Sequence, residues 1–412
     1  MNFFNKKVLF WDANGLAVEH AVRLAKDFEK VWYYTPWVTG FPQFKAYAHG
    51  LGVEGLDKQK HFWNLVEKAD LIFFGDTGAG DAAEFLRKSG HLVFGPGAAE
   101  ELEEDRFLLR TRQKDLGMPT QKTKRIHGLT ALRVHLAGVH DKYVKLGIFR
   151  GSRESFHWKN QAKSGNILDE IAHEWGPFAD TQDFTVEDTI DGIEPGADGL
   201  LNKHGWVYPT LWGFEHHVGY VGTYTQLPPY PLTYTCKKME EMFSGYDYRG
   251  PISYEVKLPE FNKPYLLDVT VRFPFSLSVC YTESIKNYSE VIWNVASNEP
   301  VTLIPAAKYV VMSYIETSHP DKEWTSLIFP ANLRNRIKLQ SFGKAKGTYC
   351  AVKGQQNGFL LVGLNDDLKV AIEEARALAD ECEADELSKD GLYVFDDIMK
   401  DVEDFRKMGG KF

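Results

Sequence analysis

Short apolar segments alternate with a helical segment over the first hundred residues, and this alternation limits the fold more than any other feature of the chain. Residues 7–11, 31–35, 71–74 and 91–95 are apolar runs of strand length that end in turn-forming residues. Residues 16–28 place their apolar side chains at helical spacing. This order of strands and helices predicts a parallel sheet with helices on its faces.

Two polar loops follow the first and third of these strands. They read Asp-Ala-Asn-Gly at residues 12–15 and Gly-Asp-Thr-Gly-Ala-Gly at residues 75–80. Ligands of parallel sheets bind at the carboxyl ends of the strands, where small residues let the backbone approach them. Ordinary turns have the same composition, and neither loop has the full spacing of a phosphate-binding motif. A ligand role and a plain turn therefore both remain open.

A domain boundary is predicted near residue 118. Residues 100–116 have helical spacing, and Gly117 followed by Pro119 ends the helix. A chain of 412 residues is too long for one simple core, so several units are expected. We predict an N-terminal parallel α/β domain at residues 1–118, a central nucleotide-binding part at 119–300 and a C-terminal subdomain at 301–412. Further helices are predicted near residues 281–295 and in the tail at 396–412, which is expected to fray at Gly409 and Gly410.

The segment 250–273 carries the residues best suited to bind a metal ion. Two stretches of alternating apolar and polar residues flank a short polar break, which predicts a β-hairpin. In such a hairpin Glu255 and Asp268 lie on neighbouring strands and face the same way, a carboxylate pair that suits Mg²⁺. Arg272, four residues after Asp268, falls on the same side, where it would neutralise an anionic intermediate. The alternative is a hairpin with ordinary solvent-facing charges.

Lys145 ends a short strand and precedes a loop that has two glycines, two arginines and two hydroxyl side chains, residues 147–155. A lysine point charge, backbone amides and the guanidinium fork of Arg153 together can cover a polyphosphate. An exposed basic turn is the alternative. The strand-like run at residues 184–190 is followed by Asp-Gly-Ile-Glu at 191–194. Such a segment can read a purine edge with its backbone and hold ribose hydroxyls with a carboxylate.

The charge balance and the cysteines exclude several classes of protein. The net charge of −9 argues against general nucleic-acid binding, which depends on clustered Lys and Arg. The four cysteines are scattered and form neither a zinc motif nor a disulfide framework, so a reducing cytoplasm is the expected location. We recognise no signal peptide and no stretch of membrane-spanning length, so no membrane partner is expected. The oligomeric state stays open.

Several short segments form a pattern through their order in the chain. They are Glu-His-Ala at residues 19–21, Val-Phe-Gly-Pro-Gly-Ala-Ala at 93–99, Leu-Glu at 102–103, Arg-Phe at 106–107, Leu-Gly-Met-Pro-Thr at 116–120, Gly-Tyr-Val-Gly-Thr-Tyr-Thr at 219–225, Leu-Asp-Val-Thr-Val-Arg-Phe at 267–273 and Leu-Val-Gly at 361–363. In this order they resemble the ATP-grasp ligases, and among them phosphoribosylamine–glycine ligase. The shared order over nearly the whole chain, rather than any single segment, carries the resemblance.

The resemblance implies an ATP-grasp fold of mixed α/β and α+β class, with an N-terminal parallel α/β (pre-ATP-grasp) domain and a small C-terminal subdomain. It implies ATP and Mg²⁺ (or Mn²⁺) as cofactors, and a small-molecule carboxylate and amine as substrates. ATP would convert the carboxylate into an acylphosphate, which the amine would attack to form an amide. The residue roles implied are Arg272 for the acylphosphate, Glu255, Asp268 and Thr270 for the metal, Arg106 and Lys145 for phosphate, and Glu187, Asp188 and Glu194 for adenosine. Arg153 is added to the phosphate residues from the composition of its loop.

The chain departs from the family in both halves of the site. Thr270 stands where the family has Asn, which alters one metal position, and Asp268 and Arg106 replace a Glu and a Lys. Two functions are therefore considered. The first is an active ligase with a different carboxylate or amine. The second is a nucleotide-binding relative that has lost or altered its chemistry, for which Thr270 is the main evidence.

The acceptor half departs further than the ATP half. A polar run of the family is replaced by the aromatic and histidine-rich residues 212–218. His216 and His217 are adjacent, and neighbouring side chains on a strand point apart. We therefore expect local packing or a substrate role for them rather than a zinc site.

Overall fold

A five-stranded parallel sheet forms the N-terminal part of the protein. The computed structural model describes residues 3–13, 15–35, 49–146, 155–216, 218–321, 323–353 and 357–412. The bounds in this part are β1 (Lys7–Trp11), α1 (Val18–Leu24), β2 (Lys30–Tyr34), β3 (Leu56–Gln59), β4 (Leu71–Phe74), α2 (Gly80–Lys88) and β5 (Val93–Phe94). The strand order is β3-β2-β1-β4-β5 with every pair parallel, which confirms the predicted parallel α/β arrangement.

The prediction of one helix at residues 100–116 is wrong, because the chain forms two helices with a break at Asp105. The first is α3 (Glu101–Glu104) and the second is α4 (Arg106–Asp115). Asp105 is extended, and its carboxylate accepts two backbone N–H groups from the first turn of α4, at 2.9 and 3.0 Å. This N-cap restarts the helix, so α4 begins at a residue that the sequence assigned to phosphate.

A four-stranded antiparallel sheet, called the small sheet below, follows α4. Its elements are β6 (Thr123–His127), α5 (Leu129–Leu136), β7 (Lys142–Leu146), β8 (Ser155–Trp158), α6 (Gln161–Trp175) and β9 (Asp183–Asp188). The strand order is β6-β9-β7-β8. Apolar side chains of both helices and all four strands form a core of their own, so the small sheet is a unit with its own packing.

The elements after the small sheet include those of a ten-stranded sheet, called the large sheet below. The first of them are β10 (Pro195–Asn202), β11 (Gly205–Trp206), β12 (Thr210–His216), β13 (Gly219–Thr225), α7 (Tyr230–Phe243), β14 (Gly250–Lys257), β15 (Tyr265–Thr270), α8 (Tyr281–Ser284) and α9 (Tyr288–Ala296). The C-terminal ones are β16 (Tyr309–Thr317), β17 (Thr325–Leu327), β18 (Ile337–Leu339), β19 (Phe342–Ala345), β20 (Thr348–Ala351), β21 (Asn357–Asn365), α10 (Leu368–Leu378), β22 (Leu387–Ser388) and α11 (Val394–Lys407).

The large sheet joins the central and C-terminal parts of the chain. Its main path is β15-β14-β10-β12-β13-β16-β21-β18, with β11 and β22 paired at its sides. Because β13 pairs with β16, one sheet crosses the predicted division at residue 300. The strands β17, β20 and β19 form a separate three-stranded sheet. The hairpin β14–β15 lies at one end of the large sheet.

Two further expectations about the helices need correction. The helical stretch near residues 281–295 is divided into α8 and α9, because Ile285 is extended and forms a β-bridge. The sequence predicts that the C-terminus frays at Gly409 and Gly410, but Gly410 is buried and the ring of Phe412 lies 5.0 Å from that of Trp212. None of the helices within the described residues is long and apolar enough to cross a bilayer.

A buried ion pair connects the N-terminal sheet to the C-terminal part. Glu19 on α1 is 1% exposed, and its Oε1 lies 2.8 Å from Nη2 of Arg334. The same oxygen accepts the backbone N–H of Leu339 on β18 at 2.8 Å. A buried carboxylate needs such partners, because its desolvation is otherwise uncompensated. Glu19, which belongs to the segment that resembles the family's Glu-His-Ala, therefore has a structural role here.

We expect the substitution Arg334→Met to lower the free energy of unfolding by about 3–5 kcal/mol, because it removes the cation in contact with the buried carboxylate of Glu19. Urea denaturation of the full chain measures this loss. Lys400→Met, which removes the lysine of an exposed pair with Asp397, is the matched control and should leave the denaturation midpoint unchanged. Equal effects of the two substitutions would contradict the prediction.

Candidate active site

Glu255 and Asp268 face each other across the hairpin β14–β15. The strand register pairs Ser253 with Thr270 and Glu255 with Asp268, and a β-bulge follows Glu255. Directly paired residues in an antiparallel ladder place their side chains on the same face of the sheet. The predicted hairpin and the common direction of its two carboxylates are therefore confirmed.

Two cavities meet at Asp268. The first has a volume of about 150 Å³ and lies between the small sheet and the hairpin. The second has a volume of about 260 Å³ and extends from Asp268 toward α3 and β12. Charged residues dominate both walls: Lys145, Glu187, Asp188, Glu194 and Lys257 in the first cavity, and Glu103, Arg106, Glu215, Glu255 and Arg272 in the second.

Two cations hold the carboxylate of Asp268. Nη1 of Arg106 lies 2.6 Å and Nζ of Lys145 lies 2.9 Å from its Oδ1. Burial by itself would raise the pKa of Asp268, but the charges of Arg106 and Lys145 outweigh it and lower the pKa to about 2. Asp268 therefore stays ionised near neutral pH, and the structure brings three of the predicted site residues into direct contact.

Burial makes the ionised forms of Glu255 and Glu215 unfavourable in the second cavity. Neither carboxylate has a hydrogen bond or salt bridge in the part of the chain that the structure describes. Burial, together with the charges of Glu194 and Asp268, raises the pKa of Glu255 to about 8. Burial and the nearby Glu255 also raise the pKa of Glu215 well above its usual range. A cation in this cavity would be favourable for both residues.

Arg272 lines the second cavity on the same side as Asp268, as the alternation in the sequence predicts. Its Nε lies 3.1 Å from Oε1 of Glu103 and 3.3 Å from Oδ1 of Asp76. Glu103 also accepts the backbone N–H of Val271 at 2.9 Å. Asp76 belongs to the polar loop after β4, so one of the two loops at the carboxyl ends of the parallel strands contacts the site.

The three residues assigned to adenosine line the first cavity, and each already has a cationic partner. Asp188 and Glu194 each pair with a lysine at 2.7 Å. Glu187 is 2% exposed and accepts two hydrogen bonds from Arg110, at 2.5 and 2.9 Å. The structure therefore brings the three residues to one wall, and their role in binding adenosine remains a prediction.

Two residues of the site were missed by sequence reasoning, and one predicted residue lies outside the described part. Arg153 is outside the described residues, so its role stays a prediction. Arg110 follows Arg106 by four positions on α4, and this spacing, which places both on one helix face, was the available signal. Glu215 lies on β12 within residues 212–218, where the chain departs from the family pattern. No motif indicated a role for it. Thr270 lines the second cavity beside the paired carboxylates.

The donor set fits a divalent metal ion that takes few ligands from the protein. The described residues contain no group of three or more His, Cys, Asp or Glu side chains placed to hold a metal. Mg²⁺ is commonly bound by one or two carboxylates, with water and phosphate as its other ligands, and Glu255 with Asp268 offers such a pair. Nε2 of His216 lies 2.6 Å from Oδ2 of Asp401, and the role of His216 stays a prediction; His217 lies outside the described residues.

The chain shares its fold with several solved enzymes. No family model and no curated protein matches it. Phosphoribosylamine–glycine ligase from Thermotoga maritima superposes with a TM-score of 0.68 at 15% identity, over 93% of this chain and 98% of its own. The biotin carboxylase domain of 2-oxoglutarate carboxylase from Hydrogenobacter thermophilus, in complex with MgADP, ADP and bicarbonate, gives 0.65 at 17%, over 99% and 96%. N5-carboxyaminoimidazole synthetase from Staphylococcus aureus, complexed with ADP, gives 0.62 at 12%, over 92% and 97%. The chain therefore has the ATP-grasp fold.

We expect Glu255→Gln to stabilise the protein without nucleotide or metal, and to do so more at pH 8.5 than at pH 5. The pKa of Glu255 rises from 4.5 to about 8 in the folded protein, so the wild type loses stability as the pH rises through this range. Thermal denaturation at both pH values measures the difference. Glu260→Gln, at an exposed position in the hairpin connection, is the control. A stabilisation that is equal at both pH values would contradict the raised pKa.

Proposed function

We propose that this chain, which has the ATP-grasp fold, is an ATP-dependent carboxylate–amine ligase. The observation that carries the proposal is the junction at Asp268. There a carboxylate pair in strand register, a lysine and an arginine lie between two cavities, which we assign to the nucleotide on one side and to its acceptor on the other. The reaction would join a carboxylate to an amine through an acylphosphate, releasing ADP and phosphate.

The enzymes that share this fold support this reaction class. One is a ligase that acts on phosphoribosylamine and glycine, and two others were crystallised with ADP or MgADP. These enzymes have different acceptors on one fold, so fold alone does not identify the acceptor. We propose a different acceptor from glycine and phosphoribosylamine, because residues 212–218 replace the family's polar run.

Lys145 and Arg106 would bind the phosphates of ATP. Both cations now contact one oxygen of Asp268, and phosphate oxygens would offer them further acceptors at the same junction. Asp188, Glu194 and the backbone near Glu187 would hold the adenosine end along the first cavity. Arg153 would add a guanidinium from the loop before β8, as the sequence predicts.

Glu255 and Asp268, with Thr270 beside them, would hold Mg²⁺ or Mn²⁺. When bound, the metal would supply positive charge that neutralises the phosphate oxygens during transfer. The two carboxylates fit this role because they face the same way and because Glu255 lacks a cationic partner among the described residues. The side chain of Thr270 is shorter than the Asn side chain of the family. Its hydroxyl would therefore bind the metal through a bridging water molecule or as a direct ligand at one coordination position.

Arg272 and Glu215 would act on the acceptor side. Arg272 is oriented by Glu103 and Asp76, so its guanidinium is held where it can stabilise the negative charge of an acylphosphate. The carboxylate of Glu215 lines the same cavity and suits an amine that arrives protonated and gives its extra proton to this carboxylate before it attacks the acylphosphate. The substrates would thus be a small carboxylate and a cationic amine.

A second candidate function is a nucleotide-binding protein without ligase chemistry. The observation that favours it is Thr270, which lines the second cavity at the position where the family has an amide side chain. A protein of this kind would bind MgATP tightly and release no ADP with any acceptor. The two functions therefore differ in turnover rather than in nucleotide binding.

We expect Asp268→Asn to reduce ADP release at least about 100-fold, because it removes the charge shared by the metal and two phosphate-binding cations. ADP release is measured with Mg²⁺, ATP and panels of carboxylates and amines. Asp380→Asn, in an exposed pair with Lys389, is the charge-matched control. Unchanged turnover in Asp268→Asn would reject the metal assignment. MgATP binding without turnover for every panel member would favour the second function.

We expect Glu215→Gln to raise the KM for the amine about tenfold or more while the KM for ATP changes less than about twofold. The reason is that the substitution removes the carboxylate proposed to pair with the cationic amine and leaves the first cavity intact. Steady-state kinetics with the best amine of the panel tests this. Glu240→Gln, outside both cavities, is the control. A parallel rise in both KM values would contradict an amine-specific role.

A further inference from the structure

We propose that Arg110 is a positioning residue that fixes the ammonium group of Lys145 in the cleft. Arg110 does not line either cavity. It acts through two acceptors that surround Lys145, the carboxylate of Glu187 and the backbone carbonyl of Leu267. The inference rests on the proposed function, because it assumes that Lys145 binds phosphate.

Arg110 uses all three of its guanidinium nitrogens in hydrogen bonds. The residue is 1% exposed. Nε donates to Oε1 of Glu187 at 2.5 Å, and Nη2 donates to Oε2 of Glu187 at 2.9 Å and to the Leu267 carbonyl at 2.7 Å. Nη1 donates to the Leu266 carbonyl at 3.0 Å and to Oε1 of Gln113 at 3.2 Å. A planar guanidinium with five N–H donors fits this set, and an ammonium does not.

The acceptors around Lys145 are largely those that Arg110 holds. Nζ of Lys145 lies 3.7 Å from Oε2 of Glu187, 3.5 Å from the Leu267 carbonyl and 2.9 Å from Oδ1 of Asp268. Two of these three groups also accept hydrogen bonds from Arg110. Gln121 holds Oε2 of Glu187 from another direction at 2.9 Å. Moving Arg110 would therefore displace two of the three acceptors that surround the ammonium group.

The contacts of Arg110 also connect three units of the fold. Arg110 lies on α4, Glu187 on β9 of the small sheet, and Leu267 on β15 of the large sheet. Strand β9 pairs with β7, which carries Lys145, and Lys145 and Glu187 lie on the same face of that pair. The arginine thus sets the spacing between the small sheet and the hairpin at the level of the first cavity.

The test uses the full chain and measures MgADP binding by isothermal titration calorimetry well below the melting temperature. Lys145→Met, the reference variant, should weaken MgADP binding about tenfold or more. Arg110→Lys keeps the charge but loses the planar fork, and it should weaken binding by a similar factor. In the double variant the two losses should not add, because both act on the same ammonium. Arg112→Lys, an exposed neighbour on α4, is the matched control and should bind MgADP normally.

A second variant keeps the inference testable if Arg110→Lys does not fold. Glu187→Gln removes the charge of the linking carboxylate, and it should weaken MgADP binding without further loss in the Lys145→Met background. A lower melting temperature with unchanged MgADP affinity in Arg110→Lys, or in Glu187→Gln where it alone folds, would show a purely structural role and overturn the inference alone. Normal MgADP binding by Lys145→Met would overturn the phosphate role of Lys145, and this inference with it.

Discussion

The site depends on the compensation of buried charge around Asp268. A carboxylate removed from water is costly unless cations and hydrogen-bond donors replace the solvent, and Asp268 obtains them from Arg106 and Lys145. The two cations come from different units, one from α4 and one from the small sheet. The carboxylate of Asp268 therefore connects both units to the hairpin. Glu255, its partner in strand register, contacts no cation within the described residues, and burial and neighbouring carboxylates outweigh the charge of Lys145 and raise its pKa to about 8. The imbalance makes this side of the cleft favourable for a metal ion.

The charged groups around Asp268 have different roles. Arg110 and Glu187 are fully buried and satisfy each other, so they serve as a rigid support between the sheets. Arg272 is held by two carboxylates from the N-terminal part, which leaves it oriented toward the second cavity. The chemistry proposed for the site is therefore mostly electrostatic and positional, as expected for phosphoryl transfer. The large sheet contributes by carrying the hairpin at one end and continuing into the C-terminal part.

The predictions that succeeded rest on short-range periodicity. Alternation of apolar and polar residues on both sides of a short connection is enough to pair Glu255 with Asp268, because the side-chain period of a strand is two. The predictions that failed concern interruptions of helices. A helical pattern continues through Asp105, but its carboxylate caps the next turn and divides the segment. Ile285 breaks the helical stretch near 281–295 because it pairs with a distant strand-like residue, which no local pattern records.

The sequence by itself determined the class of the N-terminal sheet, the hairpin and the chemical types of the residues available for phosphate and metal, since these follow from local spacing and from a shared order of segments. Only the tertiary structure decided which charges meet. It brought Arg106, Lys145 and Asp268 together, placed Arg110 behind Glu187 and exposed Glu215 to the second cavity. The physical reason is that partners of a buried charge are selected by distance in space, and the contacts that satisfy Asp268 join residues more than one hundred positions apart in the chain.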